Sequence, residues 1–111
     1  MRASSRRVII VLITTANRSE AMRIAKAVVE KRLAACGNVI PTVTSIFRWE
    51  GRVQKSREAL LVMKTTVGRY SALERLIRSM HSYKVPEIIG LNVGRGLHPY
   101  LEWVQEETAI D

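Results

Sequence analysis

A chain of 111 residues, 47% hydrophobic and 25% charged, has room for one hydrophobic core and not for two. Its net charge of +8 brings nucleic acid and anionic surfaces to mind. Apart from Arg2, Arg6 and Arg7, however, the basic residues are spread along the chain among Glu residues, which reads as a solvated surface. No run approaches the ~20 apolar residues of a membrane span, and Cys36, the single cysteine, excludes an intrachain disulfide, so a cytoplasmic location is expected.

Residues 1–7 read as a flexible basic tail and 8–111 as one domain. Val8 to Thr15 is a continuous apolar run, too short and too β-branched for a signal peptide, and suits a central strand covered on both faces. Asn17 with Glu20 three positions on marks a helix start, and Ala21, Ile24, Ala25, Val28, Val29 and Leu33 fall on one face, with Gly37 as the stop. Asn38 to Lys64 then reads as a long hairpin turning at Glu50-Gly51. Pairing Trp49 with Arg52 places Val43 opposite Glu58 and Val39 opposite Val62. The arm from Asn38 to Trp49 spans about 40 Å at roughly 3.3 Å per residue, so its tip, with Phe47 and Trp49 on one face, overhangs the domain and calls for a partner surface.

Thr65 to Gly68 make a connection to a second helix, whose apolar side carries Tyr70, Leu73, Leu76, Ile77 and Met80 and which ends near His81. Pro86 pushes Val85 out of helical space before a strand over Ile88 to Val93. Pro99 suits the first turn of a terminal helix, capped by His98, in which Leu101, Trp103 and Val104 pack while Glu102, Glu106 and Glu107 stay wet. Strand, helix, strand, strand, helix, strand and a terminal helix is the α+β order of a ferredoxin-like split βαβ domain. Its antiparallel sheet carries both helices on one face and leaves the other bare. Covering that face with the sheets of sister chains, together with the overhanging hairpin, predicts a homo-oligomer.

LAACGNVIP (33–41), SIFRWEGRV (45–53), LLVMKTT (60–66), HSYKVPEII (81–89) and YLEWV (100–104) resemble, in order and separation, the blocks of the CutA divalent-ion tolerance family. The resemblance runs from about Val8 to Trp103. It implies a ferredoxin-like fold of the kind seen in PII signalling proteins, a homotrimer in which the long hairpins bind neighbouring subunits, and a part in tolerance of copper or another divalent cation; Phe47 and Trp49, from the overhang, are the expected interface anchors, and no metal is expected to be needed for folding. Where the family commonly reads His-Pro-Tyr-Glu, this chain has His81-Ser82-Tyr83-Lys84, which makes the local field more positive and disfavours a cation. Met80 and Ile13 stand where some members carry further soft ligands.

As chemistry, the His81 imidazole, the Met80 thioether and the Cys36 thiol form a candidate set for Cu(I). Neighbours on a helix point about 100° apart, so Met80 and His81 share an ion only if the helix has ended between them. The alternatives are a core Met80, a small buried Cys36 and a structural His81. Lys64 and Glu87 are candidates for the rim of an intersubunit cleft that takes a small ligand, or for an intersubunit ion pair. No Ser/His/Asp set, phosphate loop or His-Glu-x-x-His motif is recognisable, and no enzymatic step is expected. RNA-binding domains of the same topology stack bases on aromatics of the central strands; neither Val8 to Thr15 nor Ala59 to Lys64 carries one, and specific nucleic-acid binding is not expected. The second functional reading is a PII-like signalling or scaffold trimer with a small ligand or partner protein in its clefts.

Overall fold

The computed structural model describes residues 5–110. Its elements run β1 (Val8–Thr15), α1 (Arg18–Glu30), β2 (Cys36–Trp49), β3 (Arg52–Thr66), a 3-10 turn (Val67–Arg69), α2 (Tyr70–Met80), β4 (Ile88–Asn92) and α3 (His98–Glu107). The strands form one sheet in the order β2-β3-β1-β4, antiparallel throughout, which is the ferredoxin-like arrangement the element order predicts.

Alternation along the strands separates two faces. Ile9, Val11 and Ile13 of β1 and Ala59, Leu61 and Met63 of β3 pack with Ala21, Ile24 and Val28 of α1 and Leu73 and Ile77 of α2 in the main core. The opposite face carries Ile10 and Leu12, Leu60 and Val62, Ile40, Ile89 and Leu91, of which the last three are exposed. A smaller apolar cluster around Val8, Ala35 and Val104 seats α3 at the Val8 end of the sheet.

α1 begins as predicted: the Asn17 side chain accepts from the Glu20 N–H at 2.9 Å. Its end is different. The helix stops at Lys31 rather than at Gly37, because Arg32 takes a left-handed conformation (φ 60°) and turns the chain towards β2. The Arg32 guanidinium in turn donates to the carbonyls of Glu106 and Glu107 at 2.7 and 3.1 Å and closes the last turn of α3. Gly37 lies inside β2, where its need is steric: a Cβ there would sit 3.2 Å from Ala25 Cβ and 3.3 Å from Leu61 Cδ1.

The hairpin turns at Glu50 (φ 51°) and Gly51 (φ 78°), both left-handed as a tight two-residue turn requires. Trp49 pairs with Arg52 and Val43 with Glu58, as predicted, but Val39 pairs with Leu61 and not with Val62. The register slips by one at Pro41-Thr42, which together oppose Ala59, since proline has no N–H to give the ladder and is accommodated at a bulge. The ribbon does project: the molecule measures 43 × 26 × 23 Å, with a radius of gyration of 14.6 Å against about 13 Å for a compact chain of this length.

In α3, Val104 is buried and Leu101 partly so, whereas Trp103 remains 39% exposed beside Tyr100, so the tryptophan is not a core residue of the chain. His98 is the first helical residue and makes no cap; Leu97 holds the N-cap position, and the His98 ring lies 3.5 Å from the Glu102 carboxylate in solvent. Of the tail expected over residues 1–7, the first four lie outside the described residues. Arg7 accepts at its carbonyl from the Val67 N–H, and Arg6 from the Gln105 side chain.

Candidate functional site

The candidate metal and ligand residues fall at opposite ends of the sheet, and the candidate interface residues at the hairpin tip. At the Thr15 end, α2 stops at His81, whose backbone leaves helical space (φ −76°, ψ 140°) while its N–H still donates to Ile77. The imidazole is fully buried. Nδ1 lies 3.0 Å from the Tyr83 N–H, and an amide nitrogen can only donate, so Nδ1 accepts and the ring proton sits on Nε2, which donates to the Thr14 carbonyl at 2.8 Å. Both nitrogens are thereby engaged with backbone, and neither presents a lone pair to a metal.

Glu20, 3% exposed, organises the same corner. Its carboxylate accepts from the Ala16 N–H (3.0 Å), the Ser82 N–H (2.6 Å) and the Ser82 hydroxyl (3.1 Å), and it lies 3.8 Å from His81 Nδ1. Burial by itself pushes this carboxyl up, but the hydrogen bonds from Ala16 and Ser82 outweigh it and hold the group below its ordinary 4.5. One loop residue further on, the Tyr83 hydroxyl donates to Glu58 at 2.6 Å. Burial, and then the Glu58 and Glu20 carboxylates, push that phenol well above its usual range. None of this shows in local spacing, since Ser82 and Glu20 are 62 residues apart in the chain.

At the other end, Cys36 pairs with Lys64, and Lys64 with Ile10. The Lys64 ammonium donates to the Asn38 side-chain oxygen and lies 3.9 Å from the half-buried Cys36 sulfur, whose thiol reaches the same oxygen at 3.7 Å. Lys64, Cys36 and Asn38 form a polar strip on the open face, beside the apolar Ile10, Leu12, Leu60 and Val62. An ammonium has three donors, so one remains for a ligand or a neighbouring chain.

Within one chain the predicted sets do not assemble. Thr14, which holds His81, is four residues along β1 from Ile10, or about 13 Å, and Cys36 is two strands further across. Met80 packs against the core. Among the described residues no three His, Cys, Asp or Glu side chains come together as a metal cluster. Glu87 is exposed and precedes Ile88, the partner of Ile13, while Lys64 lies on the far side of β1, so within one chain the two are apart, and the cleft or ion pair expected for them is one between subunits. Phe47 and Trp49 sit at the hairpin tip, 39% and 51% exposed, where an intermolecular role needs them.

Residues 9–107 match the family described as CutA1 divalent ion tolerance protein. This chain belongs to the CutA1 family. The divalent-cation tolerance protein CutA of Thermus thermophilus is 46% identical over 99 residues, covering 89% of this chain and 96% of the relative. Protein CutA of Homo sapiens is 47% identical over 96 residues, 86% of this chain but 54% of its own length, so the CutA1 chain here spans about half of the human relative. Solved CutA1 structures share the architecture: that from Thermus thermophilus superposes with a TM-score of 0.90 at 44% identity (92% of this chain, 99% of that one), and that from Oryza sativa with 0.91 at 35% (97% and 99%).

Proposed function

We propose that this CutA1 chain works as a homotrimer with a role in divalent-cation tolerance, copper foremost, and without an enzymatic step. The observation that carries the assembly is the open sheet face: Ile40, Ile89 and Leu91 are left in water there, and Phe47 and Trp49 on the same side at the hairpin tip. Each such side chain buried against a neighbour contributes roughly 1.5–3 kcal/mol. The cation role comes from the family. In one chain the expected ligands do not fit a copper site; the soft donor left is Cys36, which lies on the face that assembly covers, so coordination involves groups from a neighbouring copy. The cytoplasm is proposed as the location, where reducing conditions keep Cys36 a thiol.

Native mass spectrometry with Cu(I) competition under reducing conditions tests both halves. The expected result is a three-chain mass, weakened in Trp49→Ala, and stoichiometric Cu(I) that is lost in Cys36→Ala. A monomer at micromolar concentration sinks the assembly; Cu(I) held no more tightly by wild type than by Cys36→Ala sinks the metal role. The free donor of Lys64 favours the second reading, a PII-like trimer with a small ligand or partner between subunits. Protection of the trimer by a small anion, lost in Lys64→Ala and independent of metal, would select it.

A further inference from the structure

The outer side of α2 faces away from the sheet, and here the chain concentrates positive charge in a concave place. Arg75 and Arg78, three positions apart on one helical face, meet Lys84 from the loop that follows His81, across a cleft of about 320 Å³ closed by Ser79, Tyr83 and Pro86. No carboxylate lines it. Among the described residues nothing offers Arg75, Arg78 or Lys84 a hydrogen bond or an ion pair. Two of the nearby acids are engaged elsewhere: Glu58 holds the Tyr83 hydroxyl, and Glu20 the Ser82 amide and hydroxyl.

Part of this has a plain structural cause. Arg78 lies in the last turn of α2, where a cation complements the helix C-terminus. Arg75 does not, and Lys84 comes from outside the helix, so the convergence of the three is not explained by the helix end. The loop is fixed in place for other reasons, through the His81 and Glu20 hydrogen bonds, so Lys84 is carried on an ordered stretch of backbone. Guanidinium groups match phosphate oxygens in paired hydrogen bonds, and an ammonium adds a point charge. The cleft has roughly the liquid volume of ten waters, more than a single phosphate fills, and Tyr83 and Pro86 give it an apolar wall on one side.

We propose that the Arg75–Arg78–Lys84 cleft binds a small anion carrying two or three linked phosphate groups. The site uses none of Cys36, Lys64 or the hairpin and stands apart from the cation role and the assembly. The three cations sit on the helical side of the sheet, so pairing of open faces between copies leaves them accessible.

Calorimetric titration with inorganic tripolyphosphate at fixed ionic strength tests it, using the full chain as wild type, Lys84→Glu, Arg75→Ala, and Arg57→Ala on the exposed arm of β3 as a control for the general positive field. Binding at one site per chain is expected, weakened at least tenfold in Lys84→Glu and severalfold in Arg75→Ala, unchanged in Arg57→Ala, and at least tenfold weaker for orthophosphate. Equal affinity in wild type and Lys84→Glu overturns the proposal. So does an equal loss in Arg57→Ala, which would show that only the diffuse charge of the chain attracts the anion.

Discussion

Replacing Glu20 by glutamine removes a charge from the corner that holds β1, α1 and the loop after α2 together, while keeping the volume. The carboxylate accepts three hydrogen bonds, two from Ser82 and one from Ala16. A carboxamide has one acceptor oxygen, so one of the two backbone donors, the Ser82 N–H or the Ala16 N–H according to which way the amide is turned, is left facing an NH2 group. Hydrogen bonds to a charged group contribute about 1.5–3 kcal/mol each, and a stranded donor costs about 1–3 kcal/mol; the bonds are only part-buried, so a loss of about 2–4 kcal/mol is expected at pH 7. The pH dependence gives the test its edge. The folded-state carboxyl titrates below its ordinary 4.5, so its contribution is fully present above that value and is lost as pH falls through the folded-state value. Guanidinium unfolding followed by Trp49 and Trp103 fluorescence, at one protein concentration, should show wild type well above Glu20→Gln at neutral pH and the gap closing in acid below 4.5. A gap that stays constant from neutral to acid pH, or one absent at pH 7, refutes the account of Glu20 as a charged tie.

Gly37→Ala should lower the thermal midpoint by an amount equivalent to about 1–3 kcal/mol, since the new methyl meets Ala25 and Leu61 at 3.2 and 3.3 Å inside a packed strand–helix contact; an unchanged midpoint would mean that β2 and α1 can separate freely. Tyr83→Phe strands the buried Glu58 carboxylate and should cost about 1–3 kcal/mol by the same unfolding assay. Because Tyr83 stays protonated where an ordinary phenol near 10 ionises, the phenolate absorbance of the folded protein up to that pH should be the same in wild type and Tyr83→Phe.

What could be read from the sequence was what local chemistry decides. Asn17 and Glu20, Glu50-Gly51, Pro86 and Pro99 each act within a few residues, and the elements they bound lie where that chemistry puts them, apart from the end of α1. That end was misread because the left-handed residue is Arg32, not a glycine, and Arg32 is held by a contact with α3 some 74 residues away. The position of Gly37 was legible as a glycine but not as a strand residue, since the Ala25 methyl that requires it belongs to another element. The site was harder. Glu20 is legible as a helix-start residue and His81 as a candidate ligand, but only the closing of the loop over the end of β1 makes them one network with Tyr83 and Glu58.

The bulge at Pro41-Thr42 connects the fold to the proposed assembly. From Cys36 to Ile40 the even-numbered residues of β2 pair with Lys64, Val62 and Leu60, so they share the open face of the sheet. Beyond the bulge the odd-numbered residues take over: Val43 pairs with Glu58, Phe47 with Gln54 and Trp49 with Arg52, all in the same alternating series on β3. An unbroken strand would have carried Phe47 and Trp49 on the side of Gly37 and Val39, towards the helices. The extra residue transfers both aromatics to the side of Ile40, Leu60 and Val62, so that the apolar sheet and the two aromatics of the projecting ribbon share one side, with Glu58, Gln54 and Arg52 set among them along the ribbon. A second copy laid against the open face of the first therefore meets the sheet and the two aromatics from one side, and the residue that breaks the ladder is the one that puts them there.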